Sequence, residues 1–326
     1  MFSKKKPFNP ETDLEDLTGK VAFVTGGNRG IGYHTVKHLA RKGATVYLGS
    51  RSEEAGKAAV EALEKEGIGK GKVVFTWCDF GTPDKAKESG EKLLSQIDRL
   101  DILVLSGALL SDPRLKHLDD IIQSNHFGNL KLLLTLLPLL EETSDKYGEA
   151  RAVLVTSMAH TLSRAKDPNI QFKSSDDFKR DFTSDGKIKA AFGYYAISKL
   201  CQLMAHVALH KRNTHPNLLF IAADPGAVNT WSDSYFITRM LSPLINLFFV
   251  TAEVGSYNSL FCAASPKVRD EKEAYVGKFL KPVGKVSPMG ANVTVERSEE
   301  MLDTSIACFD KEGMFPLLPR KEEGSK

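Results

Sequence analysis

The sequence predicts an α/β fold, a doubly wound parallel sheet flanked by helices on both faces. Three observations predict it. Short apolar runs alternate with stretches of helical spacing along most of the chain. The runs at 21–24, 101–106 and 218–223 are almost unbroken in apolar residues, as strands covered on both faces require. Between the first run and the first helical pattern stands Thr25-Gly-Gly-Asn-Arg-Gly-Ile-Gly32, a glycine turn joining strand to helix.

Residues 1–18 are polar and punctuated by Pro7 and Pro10, and read as an arm lying on the domain. The first strand (21–24) and the glycine turn lead to a helix at 33–41. A β-rich run at 45–50 follows Gly43, and 53–66 has helical spacing. A third strand at 73–77 precedes a helix at 83–97 whose first turn tolerates Pro83. Then come a strand at 101–106, a leucine-rich helix at 118–142, a strand at 152–157, a helix at 194–211 and a strand at 218–223. The alternation resumes with a helix at 253–264 and a strand at 274–279, and the charged tail from 309 is expected to be loosely held. Two stretches interrupt it. Residues 163–189 are long, charged and aperiodic, and 229–250 are apolar and aromatic, with Trp231, Tyr235, Phe236, Phe248 and Phe249.

Forty-four basic and 41 acidic residues give a net charge of +3, too balanced for a nucleic-acid binder. Cys78, Cys201, Cys262 and Cys308 lie far apart with no Cys-x-x-Cys pair, so neither a zinc site nor a disulfide framework is indicated and a reducing compartment fits. No apolar run approaches the roughly 20 residues needed to cross a bilayer, and no apolar segment follows Lys4-Lys5-Lys6, so a soluble cytoplasmic protein is expected. His34/His38 and His206/His210 have helix-face spacing without a third ligand, and no metal site is expected.

Glycines at 26, 30 and 32 allow the backbone to turn sharply and approach a ligand, and the new helix offers unpaired N–H groups to a pyrophosphate. A dinucleotide is the natural guest. Tyr195-Ala-Ile-Ser-Lys199 sets a phenol and an ammonium on one helix face, where the cation can lower the phenol for acid/base work. Tyr33 and Lys37 share that spacing, but Tyr33 falls in the turn after the glycine loop, where it would compete with the dinucleotide. Ser157, at the end of its strand, can hydrogen-bond the oxygen that Tyr195 protonates, or cap a turn.

Taken together, Thr25-Gly26-x-x-x-Gly30-Ile31-Gly32, Asn125 in Gln123-Ser-Asn-His-Phe-Gly128, Ser157, Tyr195-x-x-x-Lys199 and Asp224-Pro-Gly226 with Thr230 resemble, in order, the landmarks of the short-chain dehydrogenase/reductase family. The resemblance covers about residues 17–285 and implies a single Rossmann-type domain (19–308), with 163–189 and 229–250 as substrate-side loops. It implies that Tyr195 exchanges a proton with the substrate oxygen while Lys199 lowers its pKa and holds the nicotinamide ribose. Ser157 would orient the substrate, and Asn125 would fix a water relaying protons to Lys199 or tie two strands together. The cofactor would meet Gly26, Asn28, Arg29, Gly30, Ile31, Gly32, Arg51, Ser106 and Gly107, with Asp79 near the adenine and Pro225, Gly226, Val228 and Thr230 at the nicotinamide end. Ser106-Gly107-Ala108 stands where the family has Asn-Ala-Gly, so the asparagine's hydrogen bonds are missing or reassigned. The Ala159-His160 after the serine and the Tyr-x-x-Ser-Lys-Leu form look like the retinol-dehydrogenase-like branch, which includes WW-domain-containing relatives.

The second strand ends Gly49-Ser50-Arg51 without the acid that binds an NAD ribose; Arg51 and Arg29 can instead pair with a 2′-phosphate, so NADP(H) is expected. The segment at 229–250 suggests a lipophilic carbonyl or alcohol substrate, while Phe248 and Phe249 can equally serve the core or a subunit contact. A homo-oligomer and peripheral membrane contact stay open. The runner-up function is a non-enzymatic NADP(H)-sensing or scaffold protein.

Overall fold

The computed structural model describes residues 7–110, 112, 115–228, 249–311, 314, 315 and 317. Eight strands form one sheet: β1 (Val21–Thr25), β2 (Thr45–Ser50), β3 (Lys72–Trp77), β4 (Ile102–Leu105), β5 (Ala150–Val155), β6 (Leu218–Ala223), β7 (Phe279–Lys281) and β8 (Lys285–Ser287). Their order is β3-β2-β1-β4-β5-β6-β7-β8, parallel up to the antiparallel pair β7–β8. The intervening helices are α1 (Pro10–Asp13), α2 (Gly30–Arg41), α3 (Glu53–Glu66), α4 (Pro83–Leu94), α5 (Asp120–Ile122), α6 (Asn129–Tyr147), α7 (Lys187–Arg212), α8 (Ala252–Ala264), α9 (Pro266–Asp270), α10 (Lys272–Tyr275) and α11 (Val295–Phe309), with a π-helical turn at Gln123–Gly128.

Side chains alternate across a strand, so each central strand feeds two cores. Phe23, Leu103, Leu105, Leu154 and Phe220 point to one, covered by α4, α6, α7 and α11. Val24, Ile102, Val104, Val153 and Ile221 point to the other, covered by α2 and α8. Every residue of β4, β5 and β6 is buried, the paired Arg151 of β5 included, and β4 and β6 accordingly read as continuous apolar runs. The order reverses between β1 and β4, and there the carboxyl ends diverge into a crevice.

Four differences from the sequence reading are instructive. The strand expected at 274–279 begins at Phe279, because Lys272–Tyr275 is helical. The helix α11 was not anticipated, although Thr294 caps it and Ser298, Met301, Leu302 and Ser305 bury one face at helical spacing. The 163–189 stretch packs as short 3₁₀ turns: Ala165, Ile170, Phe172 and Phe178 are buried, and Asn292 donates to the Ala165 and Asp167 carbonyls. Finally, the described part of the tail is not loose. Met314 and Leu317 are buried, Phe315 lies edge-on to Phe127 at 5.0 Å, and Lys311 donates to Ser175 at 2.8 Å. Of the apolar stretch at 229–250, residues 229–248 lie outside the described residues; Phe249 is 41% exposed and belongs to no core among the described residues.

All four cysteines are free and buried. Among the described residues no helix is long and apolar enough to cross a membrane, and no group of three His, Cys, Asp or Glu could hold a metal ion.

Candidate active site

The crevice at the switch point opens into a cavity of about 1270 Å³. Its floor is built from two turns that meet. Gly26 has φ +65°, and a Cβ there would stand 2.9 Å from Gly107 Cα; a Cβ on Gly32 would stand 2.3 Å from the Gly26 carbonyl oxygen. Only hydrogens fit at these two positions, so the chain from β1 turns tightly into α2. The N-cap of α2, Arg29, makes no side-chain cap, leaving the first-turn N–H groups of Gly30, Ile31 and Gly32 at the cavity wall. This cradle fits a pyrophosphate. Gly32→Ala should therefore weaken nicotinamide dinucleotide binding by at least about tenfold, measured by fluorescence titration, with circular dichroism unchanged; unaltered affinity would contradict the cradle.

Asn28, Arg29, Arg51, Asp79, Ser106, Gly107, Tyr195, Lys199 and Pro225 also line the cavity. Asp79 accepts from Gly81 N at 2.8 Å and pairs with Lys85 at 3.1 Å. The turn after β4, lacking the family's asparagine, is held by reassigned bonds: Gly107 N donates to Thr25 Oγ1 at 2.9 Å, and Asn129 Nδ2 donates to the Gly107 carbonyl at 3.2 Å.

Several expected residues stand behind the wall. Asn125 is fully buried in the π-helical turn; its Oδ1 accepts from Leu109 N at 2.7 Å, and its Nδ2 donates to Leu109 O at 2.9 Å and to Ser198 Oγ at 3.1 Å. The side chain thus ties the π-helical turn and α7 to the loop after β4 rather than facing the cavity. Ser157 accepts from Ala159 N at 3.2 Å, capping a 3₁₀ turn, and its hydroxyl neighbours the Tyr195 phenol. Gly226, at φ +80°, packs on Pro282, and Val228 bridges to Val250. Thr230 lies outside the described residues. Tyr33 does not contend for the ligand: its hydroxyl donates to Glu66 at 2.7 Å, at the far end of α3.

The family model for short chain dehydrogenases matches residues 20–168. A short-chain dehydrogenase/reductase of Armillaria gallica is 33% identical over 311 residues, 92% of this chain and 94% of the relative. The chain is a member of the short-chain dehydrogenase/reductase family. Mouse retinol dehydrogenase 11 is 30% identical over 256 residues, covering 77% of this chain and 75% of the relative, in keeping with a resemblance to the retinol-dehydrogenase-like branch. In fold, this dehydrogenase is similar to the RhlG/NADP complex of Pseudomonas aeruginosa, with a TM-score of 0.62 at 18% identity, over 84% of this chain and 98% of that one.

The electrostatics of this short-chain dehydrogenase depart from one expectation. Burial pushes Tyr195 up to about 12, with the nearby Asp224 carboxylate adding to the rise. Burial pushes Lys199 down to about 7, opposed by Asp224. Lys199 has partners of its own. Its Nζ lies 5.6 Å from the Tyr195 ring centroid and donates instead to Val155 O at 3.1 Å and Gln202 Oε1 at 2.9 Å. Each group is biased toward its neutral form, and a neutral phenol is a proton donor.

Sequence reasoning missed parts of the wall. Ser50 and Ser52 flank Arg51, and Ser52 also caps α3. Phe309, Met314 and Phe315 close one side together with Leu109 and Leu110. No local pattern connects a charged C-terminal tail to a cavity formed by residues far earlier in the chain; packing on Phe127 and the Lys311–Ser175 bond bring it there.

Proposed function

We propose that this dehydrogenase is an NADP(H)-dependent enzyme interconverting a carbonyl and an alcohol on a lipophilic small molecule. The observation that carries the reading is the convergence of Tyr195 and Lys199 at the cavity beside the glycine cradle, with the Ser157 hydroxyl next to the phenol. Bound NADPH would supply a hydride to the substrate carbon. Tyr195, held neutral by burial, donates its proton to the developing alkoxide, and Ser157 supports the same oxygen with its hydroxyl. Lys199 remains anchored to Val155 O beside the phenol. Leu109, Leu110, Phe309, Met314 and Phe315 make an apolar wall suited to a lipophilic substrate, as the name of retinol dehydrogenase 11 also suggests.

NADP(H) is favoured because Arg29 and Arg51 are both exposed along the cavity and no acid ends β2. A charge-assisted hydrogen bond contributes about 1.5–3 kcal/mol, so Arg51→Ala should weaken NADPH about 10- to 100-fold and leave NADH unchanged. Equal affinity of the native protein for the two nucleotides would overturn the preference. The activity itself is tested by following NADPH absorbance with a panel of lipophilic aldehydes, ketones and quinones. Uniform silence alongside tight NADPH binding would point to a sensor on the same fold.

A further inference from the structure

Gln202 has no part in the mechanism above, yet its side chain is buried and committed at both ends. Tyr195, Ser198, Lys199 and Gln202 follow one another at i, i+3, i+4 and i+7 along α7, so they form a single stripe on one helix face. Below that stripe lie the end of β5 and the π-helical turn. Lys199 Nζ donates to Val155 O and to Gln202 Oε1, at 3.1 and 2.9 Å. Gln202 Nε2 in turn donates to the Asn125 carbonyl at 2.6 Å. The amide thus spans from the ammonium to the Asn125 backbone, the connection that the family resemblance assigns to a water.

Asn125 cannot make that connection with its own side chain. Its Oδ1 and both hydrogens of its Nδ2 are engaged by the Leu109 backbone and by Ser198 Oγ, and Ser198 Oγ donates to Tyr195 O at 2.8 Å. The π-helical turn is therefore clamped to α7 twice, through Ser198 toward Tyr195 and through Gln202 toward Lys199. We propose that Gln202 is a positioning residue, whose amide fixes the Lys199 ammonium against the Asn125 carbonyl.

The surroundings make this site sensitive to what stands at position 202. Asp224, at the end of β6, is the charged group that acts on Lys199 from another element, and it is itself faced by Lys281 and His160. Tyr195 lies on the same helix, and from the π-helical turn His126, kept neutral by burial, borders a small cavity beside Gln202. Among the described residues none of these charges is bonded to Nζ, whose partners are two neutral oxygens. A carboxylate in place of the amide would give the ammonium a buried counter-charge and favour its protonated form; an apolar side chain would leave both Nζ and the Asn125 carbonyl short of a partner.

The inference rests on the proposed acid/base reading only where it concerns turnover, so its test has a readout that needs none. In the full-length protein with isotope-labelled lysine, the Lys199 signal is titrated by NMR, with Lys199→Arg as the assignment control. Gln202→Glu should raise the Lys199 midpoint by about one pH unit or more, and Gln202→Leu should lower it. The alkaline limb of the pH–kcat profile should move in the same directions, with the KM for a carbonyl substrate little changed. If Gln202→Leu does not fold, the nearly isosteric Gln202→Glu carries the test alone. A Lys199 midpoint unmoved in Gln202→Glu overturns the proposal, whereas failure of the acid/base reading itself would show as retained turnover in Tyr195→Phe.

Discussion

Replacing Tyr195 with Phe should lower kcat by about 10²- to 10⁴-fold, the usual worth of a general acid, and leave NADPH affinity within about twofold. The ring is held on α7 and only its hydroxyl is lost, so the packing survives. What disappears is the phenolic proton donor at the cavity, next to Ser157. No other group can take over cheaply: Lys199 is tied to Val155 and Gln202, and His160 donates its ring N–H to the Ser157 carbonyl at 2.7 Å. The check is steady-state turnover on the carbonyl that the native enzyme reduces best, alongside NADPH titration. Turnover within threefold of native would remove Tyr195 from the mechanism.

Acid should destabilise the fold well before the carboxylates titrate. His126 and His206 are both fully buried, and burial pushes each down to about 3 from an ordinary value near 6.5. His126 is further fixed by Ser305 Oγ at 2.8 Å and stacked on Phe178. Between those values the unfolded chain binds protons that the folded chain refuses, so stability is full above about pH 6.5 and falls as pH drops toward 3. Each residue costs about 1.4 kcal/mol per pH unit in that window, so the pair should cost roughly 4 kcal/mol between pH 7 and 5. Burial shifts His34, His38, His160 and His210 the same way, which steepens the loss. Thermal melts across this range measure it, and His206→Leu should flatten the dependence. A melting temperature constant from pH 7 to 5 would show that the histidines are not buried neutral.

The fold was legible where burial is two-sided. In β4 and β6 every position is apolar, so the runs stand out in the sequence, and the glycine turn marks the crevice because two backbones must nearly touch there. The stripe carrying Tyr195 and Lys199 was legible because helical spacing alone aligns it. What escaped was set by partners distant in the chain. The burial of Met314 depends on where the tail meets the core, and the neutral bias of Tyr195 and Lys199 depends on desolvation that no local pattern reports. Asn125 shows the same limit. Its place in the motif was evident, but its engagement with Leu109 and Ser198 follows from the packing of the π-helical turn on α7.

The central claim, that the cavity beside Tyr195 delivers hydride from NADPH to a lipophilic carbonyl, is tested most directly by isotope transfer. The native protein is incubated with NADPH deuterated at the nicotinamide C4 and a lipophilic aldehyde, and the product is analysed by mass spectrometry. The alcohol should carry one deuterium on its carbinol carbon, from one of the two C4 positions, and should be nearly absent with Tyr195→Phe. An unlabelled alcohol, or no alcohol from any carbonyl tried while NADPH binds tightly, would contradict it.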